Sequence, residues 1–595
     1  MRSKAAVALY PVLLGAGLVL AAFFTVVPAC LLASPQEVLA NGNRSLSPKC
    51  IVLLTPALSI HDIDPRTMPN AGMLLQRGAV GLMNTRTAVG RRRGILVPET
   101  DGTTADPLRG GAYLTLGAGT RCYGGPLAPE AVARNERDWE GTAVDVYKRR
   151  NFAKPPPGEV LHPNIRVLQA FNTGLGYRAK PGCLAELLAS VGVCTALVGS
   201  ADRPGEILRD GALAAMLPSG SVPQGIVLGI CVPDPAEPFG LRDSVEALFE
   251  ATASVFERCR GSKGCVVFVD WGDSARLDDY QQQMTPAAVG KAKARMLKRL
   301  DLLLGRLSGV AQPLPGGKHE ALKLDFSRDF FVWLSPHASR RGRSVQDTLA
   351  PIVIIGPGYT GGHLLTSAST RRPGIVANTD VAPTIAGWFG AGRDKTMVGR
   401  PITVSRTLSS NSFDDLKAFY TNLSARDYLR RASMSYLLRL MQALMFTSAV
   451  IWVSGLSKVI SKGLGSSVVT AVLFVPLAIP AATLILAFVP VCSAAVHGFT
   501  LCALMLGLSS LAAYLSKRKL SISGPLVLSA LTVILVVFDG VRGFPSLPFC
   551  VFGYSILDGS RYYGIGNEMM GAFVTSTLVT GAACFYWLKA ESSQR

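Results

Sequence analysis

Three side chains that follow apolar runs of the chain could together hold a divalent cation. Asp62 comes after the run at residues 50–54, Asp273 ends the stretch CVVFVDWGD, and His337 follows DFFVWLSP. Carboxylates and imidazoles are the ligands of the cations that assist hydrolysis and phosphoryl transfer. The sequence therefore allows a metal-dependent enzyme that hydrolyses its substrate or transfers a phosphoryl group. This hypothesis requires Asp62, Asp273 and His337 to converge on one point.

The chain offers few further residues that could serve as metal ligands. The chain has only 6 histidines, and the first apolar run ends in Thr55-Pro56-Ala57 without a carboxylate. A site for two hard metal ions needs several oxygen or imidazole ligands at one place. We therefore favour a domain without catalysis and predict no metal ion and no other cofactor. A divalent metal belongs only to the alternative, enzymatic hypothesis.

A second group of charged side chains could bind a ligand or could serve the fold alone. Asp273 either joins a carboxylate cluster or caps the helix that follows and pairs with Arg276. The segment STRRPG could present two guanidinium groups to a phosphate or sulfate. Asp380, in NTDVAPT, is expected to cap a helix that opens near Pro383. The binding candidates of this group are Asp202, Arg203, Arg276, Arg371, Arg372 and Asp380.

The loop DGSRYYGIGNEMMG at residues 558–571 is the third candidate. Glu568 at membrane depth would be costly unless it is paired, and Arg561 is the predicted partner. Tyr562 and Tyr563 suit the aromatic belt of a membrane interface. With Asn567, these side chains alternatively form a binding surface for a lipid headgroup or a lipid-linked glycan.

The elements that would position these residues alternate between strands and helices. Strands are predicted at CIVLL, GAVGLM, AYLTLGAG, VCTALVG, GIVLGICV, CVVFVDWGD, DFFVWLSP and PIVIIGPG, with helices near 68–77, 183–191, 242–259 and 285–307. This alternation predicts an α/β fold with a mostly parallel sheet covered by helices on both faces. Residues 89–110 and 122–160 lack periodicity and are predicted to be long loops.

The remaining chain predicts a membrane module. Hydrophobic residues make up 49% of the 595-residue chain, and its mean hydropathy is +0.32. Residues 1–34 are predicted to be a retained anchor, and five further helices are predicted at 436–457, 467–489, 493–515, 523–539 and 568–588. The predicted domains are therefore the anchor, an α/β domain at 35–430, and a membrane module at 431–595 with an outer loop at 540–567.

Charge places these domains relative to the bilayer. Basic residues of the amino terminus, of the loop 458–466, of SKRK and of the tail fall on one side, which the positive-inside rule makes cytoplasmic. The α/β domain is then extracytoplasmic. The net charge of +20 reflects either a solvated basic surface, which we favour, or contact with anionic lipid or an envelope polymer. Nucleic acid is not an expected partner, whereas the lipid bilayer is.

Twelve cysteines are dispersed without metal-type spacing. Cys259 and Cys265 are close enough in sequence for a disulfide, but unpaired and partly buried thiols are the favoured interpretation.

Several longer stretches carry a family resemblance. They include MPNAGMLLQRGAVGLMNTRT, AYLTLGAGTR, GDSARLDDY, GPGYTGGHLLTSASTRRPGIVANTDVAPTIAGWFG and GYSILDGSRYYGIGNEMMGAFV. The chain resembles a family of bacterial multi-pass membrane proteins with an alkaline-phosphatase-like domain of the sulfatase and phosphoglycerate-mutase superfamily. The resemblance implies a plasma-membrane location and, for the wider superfamily, two metal ions and a hydroxyl or modified cysteine nucleophile.

This chain departs from that superfamily pattern at each catalytic position. The first-strand carboxylate is replaced by Thr55, and DPLRGGAY stands where a nucleophile is expected, with Thr103, Thr104 and Thr115 as the nearest hydroxyls. His337 lacks the usual neighbouring aspartate. We therefore expect a catalytically degenerate domain, a pseudoenzyme that binds an envelope component or a partner protein.

Overall fold

The structure is a computed structural model. It describes residues 47–88, 107–309, 322, 324–345, 347–409, 411–454, 464–489, 493–517 and 524–592. The predicted anchor at 1–34 lies outside these residues, as do Thr103 and Thr104. Within the chain, two compact units divide between Ala418 and Phe419.

The first unit is built on a ten-stranded sheet. Its strands in chain order are β1 (Lys49–Leu54), β2 (Ala79–Asn84), β3 (Val193–Val198), β4 (Gln224–Ile226), β5 (Gly264–Asp270), β6 (Phe330–Leu334), β7 (Leu349–Ile355), β8 (His363–Ser367), β9 (Ile375–Ala377) and β10 (Ile402–Leu408). They are ordered β10-β8-β2-β7-β6-β1-β5-β3-β4, and β9 pairs with β2.

Five neighbouring strands of this sheet, β6-β1-β5-β3-β4, are parallel. Strand β7 runs antiparallel to both of its neighbours, β6 and β2. Residues of β1, β2, β5, β6 and β7 are buried along their whole length or nearly so, which is typical of a sheet covered on both faces. The predicted α/β class with a mostly parallel sheet is confirmed.

Helices cover this sheet. They are α1 (Pro69–Arg77), α2 (Pro107–Ala118), α3 (Ala143–Asn151), α4 (Ile165–Thr173), α5 (Cys183–Ser190), α6 (Ala212–Ala215), α7 (Val245–Arg258), α8 (Gly272–Tyr280), α9 (Pro286–Ser308), α10 (Arg340–Ser344) and α11 (Val381–Trp388). Short strands form three small sheets. One sheet has three strands, Val132–Ala133, Val160–Leu161 and Ser221–Val222. The other two sheets have two strands each: Arg137–Asp138 pairs with Gly141–Thr142, and Cys231–Pro233 pairs with Leu241–Asp243.

Several sequence predictions in this unit were wrong. The segment GIVLGICV was predicted to be one strand but is divided between β4 and the short strand Cys231–Pro233, and residues 107–110 of a predicted loop begin α2. The segment AYLTLGAG was predicted to be a strand but forms the end of α2. Its apolar residues are packed on all sides in the core, so an apolar run alone could not distinguish a buried helix from a buried strand. The tract 122–160 was predicted to be a loop but contains α3, whose Thr142 and Asp145 form a reciprocal capping box.

The second unit contains the helices Ser412–Val453 (from Phe419 onward), Leu464–Leu486, Ala494–Lys517, Gly524–Val541 and Asn567–Ser592. Among the described residues, five helices are long and apolar enough to cross a membrane. They match the five predicted C-terminal segments, except that the first helix begins at Ser412 rather than near 436. Its polar first turns continue the helix but lack the hydropathy by which membrane segments are recognised.

Helix α1 shows how tertiary contacts replace a local signal. Its N-cap residue Met68 makes no side-chain cap bond. The buried carboxylate of Asp301, on α9, instead accepts the backbone N–H of Asn70 at 3.3 Å and that of Ala71 at 2.9 Å. These N–H groups are among those that the first turn of a helix leaves unpaired.

We expect Asp301→Ala to destabilise this unit by about 1–3 kcal/mol, because two buried helix donors lose their acceptor. Denaturant unfolding of the detergent-solubilised chain measures the loss. Glu250→Ala, at an exposed carboxylate on α7, is the matched control and should change stability by less than about 0.5 kcal/mol. Equal effects of the two substitutions would contradict the capping role.

Candidate functional site

The carboxyl ends of three adjacent parallel strands define the candidate site. Asp270 is the last residue of β5, Thr55 follows β1, and His337 lies three residues after β6. Ligands of open α/β sheets bind beyond such strand ends. Thr55 is engaged within the sheet, since its hydroxyl accepts the indole N–H of Trp333 at 3.0 Å and lies 3.3 Å from the Leu334 carbonyl oxygen.

Helix α2 adds two side chains to this edge. Arg109 and Tyr113 are four residues apart and therefore lie on one face of the helix. The Tyr113 hydroxyl donates to Asp270 Oδ1 at 3.3 Å, and the Tyr113 ring lies 6.1 Å from the ring of His337. Tyr113 and Asp270 are fully buried, and His337 is nearly so.

Arg109 connects this group to further carboxylates. Its Nε lies 2.8 Å from Asp210 Oδ2, and its Nη1 lies 3.3 Å from Asp279 Oδ2. Asp279 also pairs with Arg203 at 3.3 Å and with Arg340 at 2.8 Å. We call Arg109, Tyr113, Asp210, Asp270, Asp279 and His337 the edge cluster. Arginine side chains supply the positive charge that its carboxylates need.

Burial sets the protonation of this cluster. Desolvation, strengthened by the charge of Asp210, raises the pKa of Asp270 from 3.8 to about 7, although Arg109 opposes the shift. Desolvation also raises the pKa of Tyr113, while desolvation and the charge of Arg109 hold the pKa of His337 well below its usual value. Burial therefore favours the neutral forms of the Tyr113 phenol, the His337 imidazole and the Asp270 carboxyl group, because it shifts each pKa towards the uncharged state.

Some buried polar atoms of the described residues at this edge have no hydrogen-bond partner. Within the described part of the chain, Asp270 Oδ2, Arg109 Nη2 and His337 Nε2 are buried and have no hydrogen-bond partner. Gly211 lies against the first of these atoms, since a β-carbon at that position would stand 2.9 Å from Asp270 Oδ2. An unpaired buried polar atom costs free energy unless a ligand or water completes it.

A second network surrounds Asp273. The buried guanidinium of Arg276 pairs with Asp243 and, at 2.9 Å, with Asp273, and Arg299 approaches Asp273 at 2.8 Å. Asp243 also accepts the backbone N–H of Gly272 at 2.7 Å, at the start of α8. The predicted pairing of Asp273 with Arg276 is confirmed. The prediction that Asp273 caps α8 was wrong, because Asp243, at the end of the short strand Leu241–Asp243, accepts the N–H group at the start of that helix.

A third network lies beside a cavity of about 500 Å³. Arg209 pairs with Asp202 at 2.8 Å and with Glu136 at 2.5 Å. The cavity is lined in part by Glu136, Glu140 and Arg150, and these last two residues pair at 2.8 Å. Its charged walls are thus largely neutralised by neighbouring side chains.

The three metal-site candidates from the sequence do not share one network. Asp62 accepts the backbone N–H of Ser59 at 3.0 Å and pairs with Lys293 at 2.5 Å. Asp273 belongs to the network of Arg276, and His337 belongs to the edge cluster. Among the described residues, no group of three or more histidine, cysteine, aspartate or glutamate side chains is placed to hold a metal ion.

The remaining binding candidates of this unit have structural partners. Arg203 pairs with Glu206 at 2.5 Å and lies over the Phe239 ring. Asp380 stands at the N-cap position of α11 but makes no side-chain cap bond there, so that prediction was wrong. Its carboxylate instead accepts the hydroxyls of Ser367 and Ser369 and the backbone N–H of Arg400, which join β8 and a neighbouring loop.

Arg371 and Arg372 lie in an exposed to half-exposed turn, where Arg371 has a positive φ of 55°. A residue with a β-carbon is strained there, and the backbone N–H of Arg371 bonds to the Ser367 carbonyl at 2.8 Å. Their role as an anion fork stays a prediction.

The candidates of the loop 558–571 lie in the second unit. Arg561 donates to Asn567 Oδ1 at 2.6 Å and lies over the ring of Tyr554. Among the described residues Arg561 forms no ion pair with Glu568, so that prediction was wrong; its guanidinium is engaged by the Asn567 amide. Glu568 and Tyr563 are exposed, and Tyr562 is half-buried. A headgroup or glycan surface made by these residues stays a prediction.

Sequence reasoning missed the central members of the edge cluster. Arg109 and Tyr113 lie in DPLRGGAY, which was noted only for lacking a nucleophile, and Asp210 was not singled out. The spacing of four between Arg109 and Tyr113 would have been a signal if the segment had been recognised as a helix. The Thr115 side chain, which lies two residues after that segment, donates its hydroxyl to the Gly111 carbonyl at 2.7 Å.

The donor set does not fit the pair of metal ions that the family resemblance implies. Asp210 and Asp279 of the edge cluster already have arginine partners, and Asp270 has a raised pKa in a fully buried position. A metal ligand must be deprotonated and must face its cation without a competing guanidinium. The arrangement is instead a buried polar cluster with open hydrogen-bonding capacity.

Comparison with known proteins finds similarity among solved structures. No family model and no curated protein matches the chain. Solved structures that are similar include the lipoteichoic acid synthase LtaP from Listeria monocytogenes, at 10% identity, with 69% of this chain and 97% of that chain covered and a TM-score of 0.33. Another is the soluble domain of lipooligosaccharide phosphoethanolamine transferase A from Neisseria meningitidis, at 9% identity, with coverage of 60% and 95% and a TM-score of 0.32.

A third similar structure is the alkaline phosphatase from the Antarctic bacterium TAB5, at 10% identity, with coverage of 58% and 98% and a TM-score of 0.28. The α/β unit of this chain is similar in fold to these solved structures, and the same chain carries a unit of candidate membrane helices. At such identities the likeness concerns the fold alone and carries no statement about a reaction.

We expect Arg276→Met to destabilise the α/β unit by about 3–5 kcal/mol, because the buried Asp243 would lose its cation and Asp273 would keep only Arg299. Denaturant unfolding of the solubilised chain measures this. Arg260→Met is the control, since Arg260 pairs with Glu257 on the surface with 74% of its side chain exposed, and it should cost less than about 1 kcal/mol. Similar losses in both variants would refute a structural role for the buried network.

Asp270 predicts a dependence of stability on pH. The folded state retains the proton of this carboxyl group up to about pH 7, whereas the unfolded chain releases it near 3.8. The folded state therefore loses stability as the pH rises from about 4 to about 7. Asp270→Asn removes this loss, so the melting temperature of the variant should increase relative to that of the wild type as the pH rises across this range.

Thermal unfolding at a series of pH values tests this expectation, with Glu250→Gln as a control at an exposed carboxylate. A constant difference between Asp270→Asn and the wild type from about pH 4 to about pH 7 would contradict it.

Proposed function

We propose that the chain is a membrane-anchored, non-catalytic relative of the alkaline-phosphatase-like enzymes that binds an envelope component or a partner protein. The observation that carries this proposal is the pairing of Arg109 with Asp210 and Asp279 at the carboxyl edge of the sheet. A guanidinium group placed among these carboxylates occupies the electrostatic role that a bound cation would otherwise have.

The protonation of the cluster supports the same proposal. A hydrolase or phosphotransferase needs an activated nucleophile and a base within hydrogen-bond reach of it. The Tyr113 hydroxyl donates to a buried Asp270 and has a raised pKa, so it is held as a neutral phenol. Thr55 and Thr115 are engaged with the backbone of the sheet edge and of α2.

The α/β unit contains a cavity that suits the proposed binding role. The cavity of about 500 Å³ beside Arg209 has the size of pockets that take small organic groups. Its lining combines apolar side chains such as Val132 and Val146 with charges that already have partners. We propose this cavity as the place where a small group of the bound component lies, with the α/β unit on the outer face of a bacterial plasma membrane.

The alternative function is a metal-dependent phosphotransferase or hydrolase acting on lipid-linked or polymer phosphate. The observation that favours it is the set of unpaired polar atoms, Asp270 Oδ2 and His337 Nε2, at the strand ends. These atoms could contact a phosphate or its leaving group. The proposal and this alternative differ in whether turnover depends on Asp270 and His337.

The full chain purified in detergent distinguishes the two functions. We expect no stoichiometric divalent metal by elemental analysis, and no hydrolysis of a generic phosphomonoester or phosphodiester above the level of the double variant Asp270→Asn/His337→Gln. The reason is that arginine side chains already neutralise Asp210 and Asp279 of the edge cluster.

Circular dichroism and melting temperature should verify that the double variant is folded, and Glu250→Gln controls for the substitution of an exposed carboxylate. A bound metal together with turnover that the double variant loses would overturn the proposal in favour of the enzyme.

A further inference from the structure

Two exposed aromatic side chains lie next to residues that line the cavity of about 500 Å³. Trp139 stands between Asp138 and Glu140, which both line the cavity, and its side chain is 92% exposed. Phe152 lies two residues after Arg150, another lining residue, and is 97% exposed. Tryptophan and phenylalanine are on average among the more buried residues of a folded protein. These two rings therefore present apolar surface that the described residues leave uncovered.

The backbone that carries Trp139 is held in a tight hairpin. The strands Arg137–Asp138 and Gly141–Thr142 pair antiparallel, and Trp139 and Glu140 form the turn between them. Asp138 Oδ1 accepts the backbone N–H of Glu140 at 2.7 Å within this turn, and α3 begins directly after the hairpin. A ring on an ordered backbone loses less conformational freedom when a ligand packs on it.

Glu140 attaches this turn to the end of α3. Its carboxylate accepts Nη2 of Arg149 at 3.0 Å and Nη2 of Arg150 at 2.8 Å. Phe152, the C-cap residue of α3, has a φ of 48°, in the left-handed region that favours glycine or asparagine. A strained backbone position that carries an exposed aromatic side chain indicates a use for that side chain. Trp139 and Phe152 thus each lie within two residues of a member of the Glu140–Arg150 pair.

The charges of the cavity wall are balanced within the protein. Glu136 pairs with Arg209, and both Glu130 and Glu140 pair with Arg150. An ionic ligand would have to break one of these pairs, whereas a neutral ligand leaves them intact. The paired groups still have hydrogen-bonding capacity, since a carboxylate offers about four acceptor sites and a guanidinium about five N–H donors. The wall therefore favours a neutral ligand that both donates and accepts hydrogen bonds.

The rest of the lining is largely apolar. It includes Pro126, Pro129, Val132, Val146, Ile207 and Leu208. A pyranose ring matches this combination of surfaces, because its C–H faces pack on aromatic and aliphatic side chains. Its adjacent hydroxyl groups each donate and accept a hydrogen bond, so they can bond to a carboxylate and a guanidinium that are held side by side. The cavity also has the size of pockets that take small organic molecules.

From these features we propose that the cavity is a glycan subsite. A neutral pyranose ring stacks on Trp139, and two of its adjacent hydroxyl groups bond to the Glu140–Arg150 pair. The inference rests on the binding role proposed above for this cavity and names the chemical class of the ligand. It requires no chemistry at the edge cluster, since none of the described residues that line the cavity belongs to that cluster.

Binding of neutral disaccharides to the full chain tests the proposal. The chain is purified in lauryldimethylamine oxide, a detergent without a sugar headgroup, and is titrated with maltose, cellobiose, lactose and N,N′-diacetylchitobiose. Isothermal titration calorimetry gives the affinity, and saturation-transfer difference NMR shows which sugar protons contact the protein. We expect at least one of these disaccharides to bind, with its ring C–H protons saturated.

Trp139→Ala should weaken this binding by about tenfold or more, because the stacking surface is lost, and Trp139→Phe should recover most of the loss. The side chain of Trp139 is almost fully exposed, so its substitution leaves the packing of the α/β unit intact. Glu140→Gln should also weaken the binding, because the paired carboxylate is lost. Leu302→Ala is the matched control, since it removes an apolar side chain on α9 that is 57% exposed, and it should leave the affinity unchanged.

Dodecyl maltoside added to the same micelles distinguishes the sources of the sugar. Tighter binding than that of maltose indicates a lipid-linked glycan, and equal binding indicates a soluble or polymeric one; both outcomes require the sugar site. Failure of all the disaccharides to bind, equal affinities of the wild type and Trp139→Ala, or displacement of the bound sugar by inorganic phosphate would each overturn the proposal.

The glycan subsite and the proposed non-catalytic function fail separately in these experiments. A bound metal with turnover that Asp270→Asn/His337→Gln loses would overturn the non-catalytic function, while the effect of Trp139→Ala on sugar affinity would still support the subsite. Absence of sugar binding together with absence of metal and turnover would overturn the subsite alone.

Discussion

Buried pairing of arginine with carboxylate is the constraint on which the carboxyl edge of the sheet depends. Asp210, Asp243, Asp270 and Asp273 lie almost entirely out of water. Their desolvation is tolerable only because guanidinium groups from α2 and α8 reach them, or because a proton stays bound, as burial favours at Asp270. Arginine suits this role, since its charge persists under desolvation and its planar fork satisfies several acceptors.

The same constraint shows that the topology of the sheet edge does not by itself determine the chemistry of the residues that stand there. Parallel strands bring their ends together whatever residues stand there, so the sheet presents a site-like edge by topology alone. In this chain that edge contains Thr55, whose hydroxyl pairs with Trp333, and Arg109, whose guanidinium lies between two carboxylates. The edge is polar and retains unpaired capacity, but its charges balance within the protein. Such a sheet is thus compatible with a binding role.

Prediction from the sequence succeeded where the signal was local. Strands such as β5 and β7, and helices such as α9, follow from apolar runs and helical spacing with clear boundaries. It failed where a partner came from a distant segment. Asp380 was expected to cap α11 but instead joins Ser367 to the Arg400 backbone, and Asp243 rather than Asp273 caps α8.

The sequence by itself determined the α/β class of the first unit and the apolar helices of the second, because hydrophobic periodicity and segment length are encoded within each element. The tertiary structure decided which charged residues meet. Arg109 and Asp279 are 170 positions apart, and Cys194 reaches Cys265 only through the pairing of β3 with β5. Such contacts depend on strand order and register, which no single segment of the chain specifies.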